Sequence, residues 1–584
     1  MANVVPIHKK NETNLIKNYR PVSLLPICGK ILEKLILNNL YSYIFDNNFI
    51  DDRQSGYRRG DSTVKQLLSI THEIHKAFDD GKELRAVFLD ISKAFDKVWT
   101  EGLIFKLKRI GIEGEMINIL TSFLNDRKQR VTMDGINSEW ADVEAGVPQG
   151  SILGPILFLV YINDLFDVVD SEMRIFADDT FIFRVVVGDS TTALNEDLQK
   201  ITEWGNQWKL SFNPDITKPP LEVVFSQKKT DSNLEPLVFN DNPVKRVDET
   251  LHLGLTLDSK LNFESHLKNK LAKARSGLGL LIQTKRWVSK PTLETIYKMY
   301  IRTNLDYGDI IYHTASLSKN IFSVGNANVI LNKVETIQYT AARIITGAWK
   351  GTDTFRLYNT LGWESLNDRR IMRKLCIIYE TLASRTPRYL YKIIDEQKFD
   401  PRFRDFEKKK LITIPCKKIL FRTTFFPSTI LDWNKLDLKI KAVQSKNIFK
   451  KRLLAMMRPK KRPFFGLNNN RIRLITMLRM DLSPLRAHKF KYGFSGISSE
   501  FCTLCKKKED TEHYLLHCKS YALSRTILLQ NVSTVLGYDV SSIPKKKMVS
   551  IFLYGKEGIP DTKNLLILNY VADYIEKSKR LEKM

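Results

Sequence analysis

Six cysteines in 584 residues are too few for a disulfide framework, and they point to a reducing compartment. Apolar runs long enough to span a membrane are missing, and no signal peptide is legible. An intracellular location, nuclear and cytoplasmic, is therefore expected. No internal repeat is apparent, so a repeat architecture is not expected. Acidic residues are also scarce: 65 Asp and Glu stand against 92 Lys and Arg, a formal net charge of +27. That excess suits a polyanion partner, with phosphate contacts that would make affinity salt dependent. A solvated basic surface is the plainer alternative. The basic runs Lys408–Lys410, Arg458–Arg462 and Lys545–Lys547 fit nuclear import, nucleic-acid contact or simple solvation equally. The length allows several domains with substantial cores.

What is present is most informative at Arg174–Phe183, R-I-F-A-D-D-T-F-I-F. Asp178 and Asp179 interrupt an apolar, β-prone segment, which predicts two short strands with the acids at a tight turn. Neighbouring carboxylates resist shared ionisation, so a hard divalent cation beside them is expected; an ordinary D-D hairpin turn is the alternative. A second acidic stretch, R-A-V-F-L-D-I-S-K-A-F-D-K-V-W, runs an apolar strand, Ala86–Leu89, into Asp90. Asp90 becomes a candidate third metal ligand, with the carbonyl of Ile91 beside it. Asp96 is expected to serve structure at a helix start. Between these stretches, A-G-V-P-Q-G-S-I-L-G-P-I-L-F-L-V-Y-I-N-D-L predicts a sharply turned loop and then a buried apolar helix. A connection without a ligand would read the same way.

The order of these parts resembles a known family. D-I-S-K-A-F-D, G-V-P-Q-G-S-I-L-G-P and F-A-D-D match motifs A, B and C of reverse transcriptases. The flanks resemble non-long-terminal-repeat retrotransposons, especially jockey-like elements. V-V-P-I-H-K-K with N-Y-R-P-V-S-L-L looks like the opening fingers motif, and S-G-Y-R-R-G-D-S-T like the second. W-K-L-S-F-N-P-D-I-T-K looks like motif D, and L-H-L-G-L-T-L-D like the primer-grip turn. The resemblance covers about residues 4 to 260 motif by motif and continues more loosely towards the C-terminus.

This resemblance implies an α+β fold: a right-hand polymerase of fingers, palm and thumb, then a mostly helical C-terminal region with a small zinc knuckle. It implies RNA-templated DNA synthesis with two magnesium ions held by Asp90, Asp178 and Asp179. RNA template, DNA primer or target and deoxynucleotide triphosphates are the implied partners. Lys9, Lys10 and Arg20 would contact triphosphate, with Arg58 from the second motif; each could also be a solvated surface base. Phe95 falls where the family places the aromatic that blocks a 2′-hydroxyl, or is a helix-face core residue. Gln149 and Gly150 would line the nucleotide and template pocket. Lys218 falls where motif D's lysine is expected and could protonate the pyrophosphate, although Pro219–Pro220 beside it is unusual.

Fingers and palm are expected over 1–260, with fingers at 1 to about 85 and about 100 to 145. The palm would include a 191–209 helix carrying Leu194, Leu198, Ile201 and Trp208 at core-facing spacing. A helical thumb and extension is expected over 261–390, a basic linker region with some structure over 391–470, a knuckle region over 471–540 and a helical basic tail over 541–584. Within Phe501–Cys518, Cys502 and Cys505 form C-x2-C, followed by His513 and Cys518. Three thiolates and an imidazole can close a tetrahedral zinc site; His517 is a rival ligand, and unligated side chains in a basic tail are the alternative. A knuckle this small should depend on zinc for its fold and contact nucleic acid.

Elements of this kind usually carry an apurinic-type endonuclease upstream, and none is legible. Because Ala2 to Lys10 already match the first fingers motif, the chain is expected to be an N-terminally truncated piece of a longer reading frame. Two alternatives stay open: a decayed or domesticated nucleic-acid-binding fragment, and a group II intron maturase or telomerase. Intact acids count against the first, and the knuckle and Y-I-N-D-L flank against the second.

Overall fold

The computed structural model describes residues 1–9, 12–187, 190–212, 219–228, 234–313, 329–348, 350–395, 410–457, 467, 469–556 and 558–581. Its organising element is a five-stranded sheet. Leu84–Asp90 lies at the centre, flanked antiparallel by Asp179–Val185 and Leu221–Phe225. Glu172–Phe176 pairs antiparallel with Asp179–Val185 on one side, and Lys245–Arg246 pairs parallel with Leu221–Phe225 on the other. Central strands covered on both faces should be apolar throughout, and Leu84, Ala86, Val87 and Leu89 are all buried. Arg85 breaks that rule with 0% exposure. Its guanidinium meets Glu222 at 2.5 Å, the Thr191 hydroxyl at 2.8 Å and the Glu235 carbonyl at 2.5 Å, while Arg246 meets Glu222 at 3.2 Å. A buried charge persists only when paired and hydrogen-bonded, and this one is both.

A second sheet is built on Ala2–His8, antiparallel to Tyr19–Leu24 and parallel to Arg127–Met133, which Ala141–Val143 extends. The helix Gly154–Ile162 is apolar on every face and accordingly buried. Its N-terminal end is met by Glu33 from the helix Ile27–Asp46, whose carboxylate accepts the N–H groups of Ile152 (2.6 Å) and Leu153 (3.1 Å). Ser190–Gln207 is a helix whose Leu194, Leu198 and Ile201 are buried on one face, as their spacing predicts, and Trp208 is buried just beyond it. Lys106 packs into that region with its ammonium 3.6 Å from the Trp208 ring centroid and bonded to Asp164 at 2.7 Å.

Much of the stretch expected to be a basic linker is folded. Of 391–470, residues 396–409 and 458–466 lie outside the described residues, so the runs Lys408–Lys410 and Arg458–Arg462 are largely unplaced. The helices Ile419–Thr423 and Phe425–Lys435, in contrast, bury Phe421, Phe425, Phe426, Ile430 and Trp433. They pack against the helix Thr63–Asp79, whose terminal Asp79 carboxylate accepts the N–H groups of Lys417 (2.9 Å) and Lys418 (2.6 Å). The aromatic residues drive this burial; the Arg, Thr and Pro residues between them hide the helical spacing. The first compact unit is accordingly Met1–His266, Ile310–Phe322 and Lys374–Lys441.

The second unit comprises Leu267–Asp309, Ser323–Arg373 and Ala442–Met584. Its C-terminal part has one hydrophobic core running from Leu467 to Leu581, including Tyr514, Leu515, Leu528, Val532, Phe552 and Ile567. The stretch expected as a knuckle region with a separate helical tail is thus a single packed body. The alternation of Lys with apolar residues in 541–584 obscured the buried faces of the helices Lys545–Tyr554 and Asp561–Ser578. No helix among the described residues is long and apolar enough to cross a membrane.

His72 and His75 lie on the Thr63–Asp79 helix, fully buried, with His72 packed against Phe421 and Phe426 at 5.6 Å and 4.9 Å between ring centroids. Burial pushes the His72 imidazole down to about 3, helped by Lys76 and His75, and burial alone takes His75 to about 4. Both values lie below that of an unfolded histidine. The stability of holding them neutral is therefore complete above pH ~6.5 and drains away as pH falls towards about 4, at up to ~1.4 kcal/mol per unit for each ring. Between pH 7 and 5, urea unfolding of the wild type should lose about 2–4 kcal/mol more than the double variant His72→Phe/His75→Phe. Equal losses would mean the rings are not buried as neutral groups.

Candidate active site

Strand register assembles the acidic cluster. Asp90, the last residue of its strand, is the direct Cα partner of Asp179, the first residue of the next. Directly opposed residues project from the same face of a sheet, so the two carboxylates share a side. Phe176 also pairs with Asp179, leaving Ala177 and Asp178 as a two-residue turn. The expected hairpin with acids at its turn is therefore present, with Ala177 in the left-handed region at φ +58. All three aspartates are half-buried. Ile91 follows immediately, buried and bridged to Phe212, and Ser92 N–H donates to the Ser211 carbonyl at 3.0 Å. Asp90 and Asp179 on one side of the sheet, with Asp178 in the adjoining turn, offer the oxygen chemistry that magnesium takes.

The two loops expected to line this cluster are knitted together by backbone. Gly146 N–H donates to Val98 and Val147 N–H to Phe95, each at 2.8 Å. Gly146 adopts φ +93, and a Cβ there would sit 2.7 Å from the Asp96 carbonyl oxygen, so only glycine fits. Asp96 is not at a helix start: the helix begins at Thr100, and Asp96 lies in the preceding turns, where its carboxylate accepts from Gln149 Nε2 at 3.0 Å. Burial raises its carboxyl above the usual range, against the opposing pull of Gln149, Lys93, Lys9 and Arg127. The Gln149 carbonyl accepts Ser23 N–H at 2.7 Å. Gly150, at φ +108, brings its backbone so close that a Cβ would meet the Ser23 carbonyl at 2.7 Å.

Phe95 stacks on the buried Phe158 at 4.9 Å and 18° and meets the Tyr57 ring edge-on at 6.1 Å. Tyr57 itself was not anticipated. It is half-exposed, holds φ +53, and its hydroxyl is raised by burial and by the Asp178 charge, with Arg20 opposing. Arg58 is engaged elsewhere: it donates to the Asp51 carbonyl at 3.2 Å and to Asp52 at 3.1 Å, and lies over the Phe45 ring. Lys10 and Lys218 lie outside the described residues. The expected primer-grip turn is a hairpin, Glu249–His252 with Leu255–Asp258, closed by Leu253 and Gly254, both at positive φ. His252, buried and held down at about 4, packs on Phe88 (5.2 Å) and Phe181 (5.8 Å) of the central sheet.

The second cluster lies in the other unit. Ligand atoms of Cys502, Cys505, His513 and Cys518 all fall within 4.8 Å of one another, and Cys505 and Cys518 sulfurs are 4.0 Å apart. His513 is buried with its Nε2 lacking a hydrogen-bond partner, as a metal-facing nitrogen would. Burial pushes the Cys518 thiol up to about 11, so a bound cation would have to displace its proton. Three sulfurs and an imidazole at this spacing fit a tetrahedral zinc ion. The rival His517 is not in this group and instead lies 3.7 Å from Glu512.

Residues 7–221 match the family Reverse transcriptase (RNA-dependent DNA polymerase). The chain is 31% identical over 361 residues to the RNA-directed DNA polymerase from mobile element jockey of Drosophila melanogaster, covering 59% of this chain and 38% of that protein. Against the probable RNA-directed DNA polymerase from transposon BS of the same fly, identity is 30% over 360 residues, again 59% and 38%. The chain therefore spans well under half the length of the curated relatives it matches. A solved structure of apo telomerase from Candida Tropicalis aligns over 66% of this chain and 62% of that one, at 11% identity and a TM-score of 0.35. Residues 7–221 thus match the reverse transcriptase (RNA-dependent DNA polymerase) family, and over 59% of its length the chain is similar to RNA-directed DNA polymerases of jockey-like mobile elements.

Proposed function

We propose that this chain is an RNA-directed DNA polymerase that copies mobile-element RNA into DNA. The observation that carries the reading is the register of Asp90 against Asp179, with Asp178 in the adjoining turn, inside a reverse transcriptase domain. Asp90, Asp178 and Asp179, with the Ile91 carbonyl, would hold two magnesium ions. Those ions lower the charge on the incoming triphosphate and favour ionisation of the primer 3′-hydroxyl. Lys9 and Arg20 orient the phosphates. Gln149 and Gly150 floor the pocket, and Phe95 closes its sugar side. The primer 3′-oxygen then attacks the α-phosphorus and pyrophosphate leaves. Residues 1–260 serve as fingers and palm in this reading. The helix Glu264–Thr284, with Lys268, Lys270, Lys273 and Arg275 along it, would face template–primer phosphates as part of a thumb.

Asp179→Asn removes a metal ligand without touching the basic surface. Primer extension on homopolymer RNA should fall by more than about 100-fold, beyond what loss of even a supporting residue around a metal costs. RNA affinity should stay within about twofold. Loss of both together would count against the catalytic assignment. Phe95→Val should admit ribonucleotides, read as incorporation of rNTP relative to dNTP; an unchanged ratio would make Phe95 a core residue only.

The four ligands of the second cluster are proposed to bind one structural zinc ion that takes no part in the polymerase chemistry. The surrounding core suggests that zinc orders the 495–525 segment within a body that otherwise stays folded. Metal analysis of purified chain should find one zinc per molecule, lost in Cys502→Ser/Cys505→Ser and kept in His517→Ala. Zinc retained in the double variant, or lost from His517→Ala, would refute this ligand set. Zinc removal should weaken nucleic-acid binding, while extension of a saturating preformed primer–template should survive once magnesium is restored.

A further inference from the structure

The turn that presents Asp178 and Asp179 is held from outside its own hairpin. Ala177 carries a left-handed backbone at φ +58, a conformation that costs a non-glycine residue free energy and persists only where its surroundings impose it. It is also buried, so its N–H needs a partner. That partner is the side-chain oxygen of Gln54, at 3.0 Å, and the same oxygen accepts Gly56 N–H at 2.9 Å. Both partners are donors, so chemistry assigns the amide orientation: the oxygen faces the turn. Gln54 is 1% exposed, out of reach of any substrate.

Three further observations make this contact a built one. Residues 53–55 pair parallel with the outer edge of the central sheet: Ser55 N–H donates to the Ile175 carbonyl at 2.9 Å and Ile175 N–H to the Arg53 carbonyl at 3.1 Å. A Cβ on Gly56 would lie 2.3 Å from Ala177 N, so the segment approaches the turn as closely as only glycine allows. Both flanks are anchored. Arg53 forms a forked pair with Asp51 at 2.9 Å, and the Ser55 hydroxyl meets Tyr389, which donates to Asp61 at 2.7 Å.

We infer that Gln54 is a positioning residue for catalysis: its side-chain oxygen clamps the Ala177–Asp178 turn so that Asp178 and Asp179 stand with Asp90 as one metal-binding set. This rests on the polymerase reading above. Without the clamp, Ala177 N–H loses its acceptor and the turn can leave the left-handed conformation, which swings Asp178 away from Asp90. Metal affinity then falls while the basic surface that binds primer–template is untouched.

The test uses full-length, zinc-loaded chain with Gln54→Leu, which keeps bulk and removes the acceptor. Gln54→Glu, which offers oxygens to the same two N–H groups, and Gly56→Ala, which pushes on the turn from the other side, complete the set. Mn2+ binding is titrated by electron paramagnetic resonance with Asp179→Asn as background, beside kcat, KM for dNTP and primer–template affinity. Gln54→Leu and Gly56→Ala should raise the Mn2+ midpoint at least about tenfold and lower kcat about 10- to 100-fold, as losses around a metal site do. Primer–template affinity should stay within about twofold, and Gln54→Glu should recover most of the metal affinity. A wild-type Mn2+ midpoint in either folded variant overturns the clamp, and if Gln54→Leu does not fold, Gly56→Ala and Gln54→Glu decide. An unmodified chain that binds Mn2+ at the aspartates but extends no primer would sink the polymerase reading instead.

Discussion

The catalytic reading of this molecule depends on one strand register. Asp90 and Asp179 share a face only because Leu84–Asp90 and Asp179–Val185 pair as they do. Side chains alternate along a strand, so a slip of one residue would send one carboxylate to the opposite face and bury a charge among the core aromatics. The register is guarded on both faces. Phe88 and Phe181, each two residues from the acid on its strand, pack against each other at 5.0 Å and against His252. At the far end, Arg85 locks the same strand to Glu222. That ion pair adds little net stability over an apolar pair of equal bulk, but it tolerates no misalignment, because a shifted register would strand a buried guanidinium.

What could be read from residues alone follows from how local each signal is. The three acids, the Gly146 and Gly150 loop and the Leu253–Gly254 turn are each written in a few consecutive residues, and their roles in chain geometry came out as expected. Features built by residues distant in the chain were not legible. Gln54 is an unremarkable polar residue until Ala177 is placed beside it, and Glu33 looks like a solvated helix residue until it meets the N–H groups of Ile152 and Leu153. The 419–435 helices failed for a different reason. Their apolar residues are clustered aromatics broken by Arg, Thr and Pro, so the hydrophobic period is masked although Phe421, Phe425, Phe426, Ile430 and Trp433 are buried.

The Cys and His cluster sits between these cases. Its four ligands fall within 17 residues of chain, so the pattern was visible, yet its setting was not. Tyr514 and Leu515, between two of the ligands, are core residues shared with helices out to 578. A site set into a packed body is braced by that body, which is why its removal is expected to loosen a segment rather than melt a domain.

The contacts of Tyr389 with Asp61, and of Lys417 and Lys418 with Asp79, close loops of 328 to 339 residues. Chains are made from the N-terminus, at some 5–20 residues per second. Helix Thr63–Asp79 therefore waits on the ribosome, its aromatic-binding face uncovered, for roughly 20 to 70 seconds before Phe421 and Phe426 emerge to cover it. The nascent chain is most vulnerable to aggregation in that interval, and a holding chaperone has most to offer there. It also means that a shortened version ending where the catalytic motifs end would leave that face permanently bare.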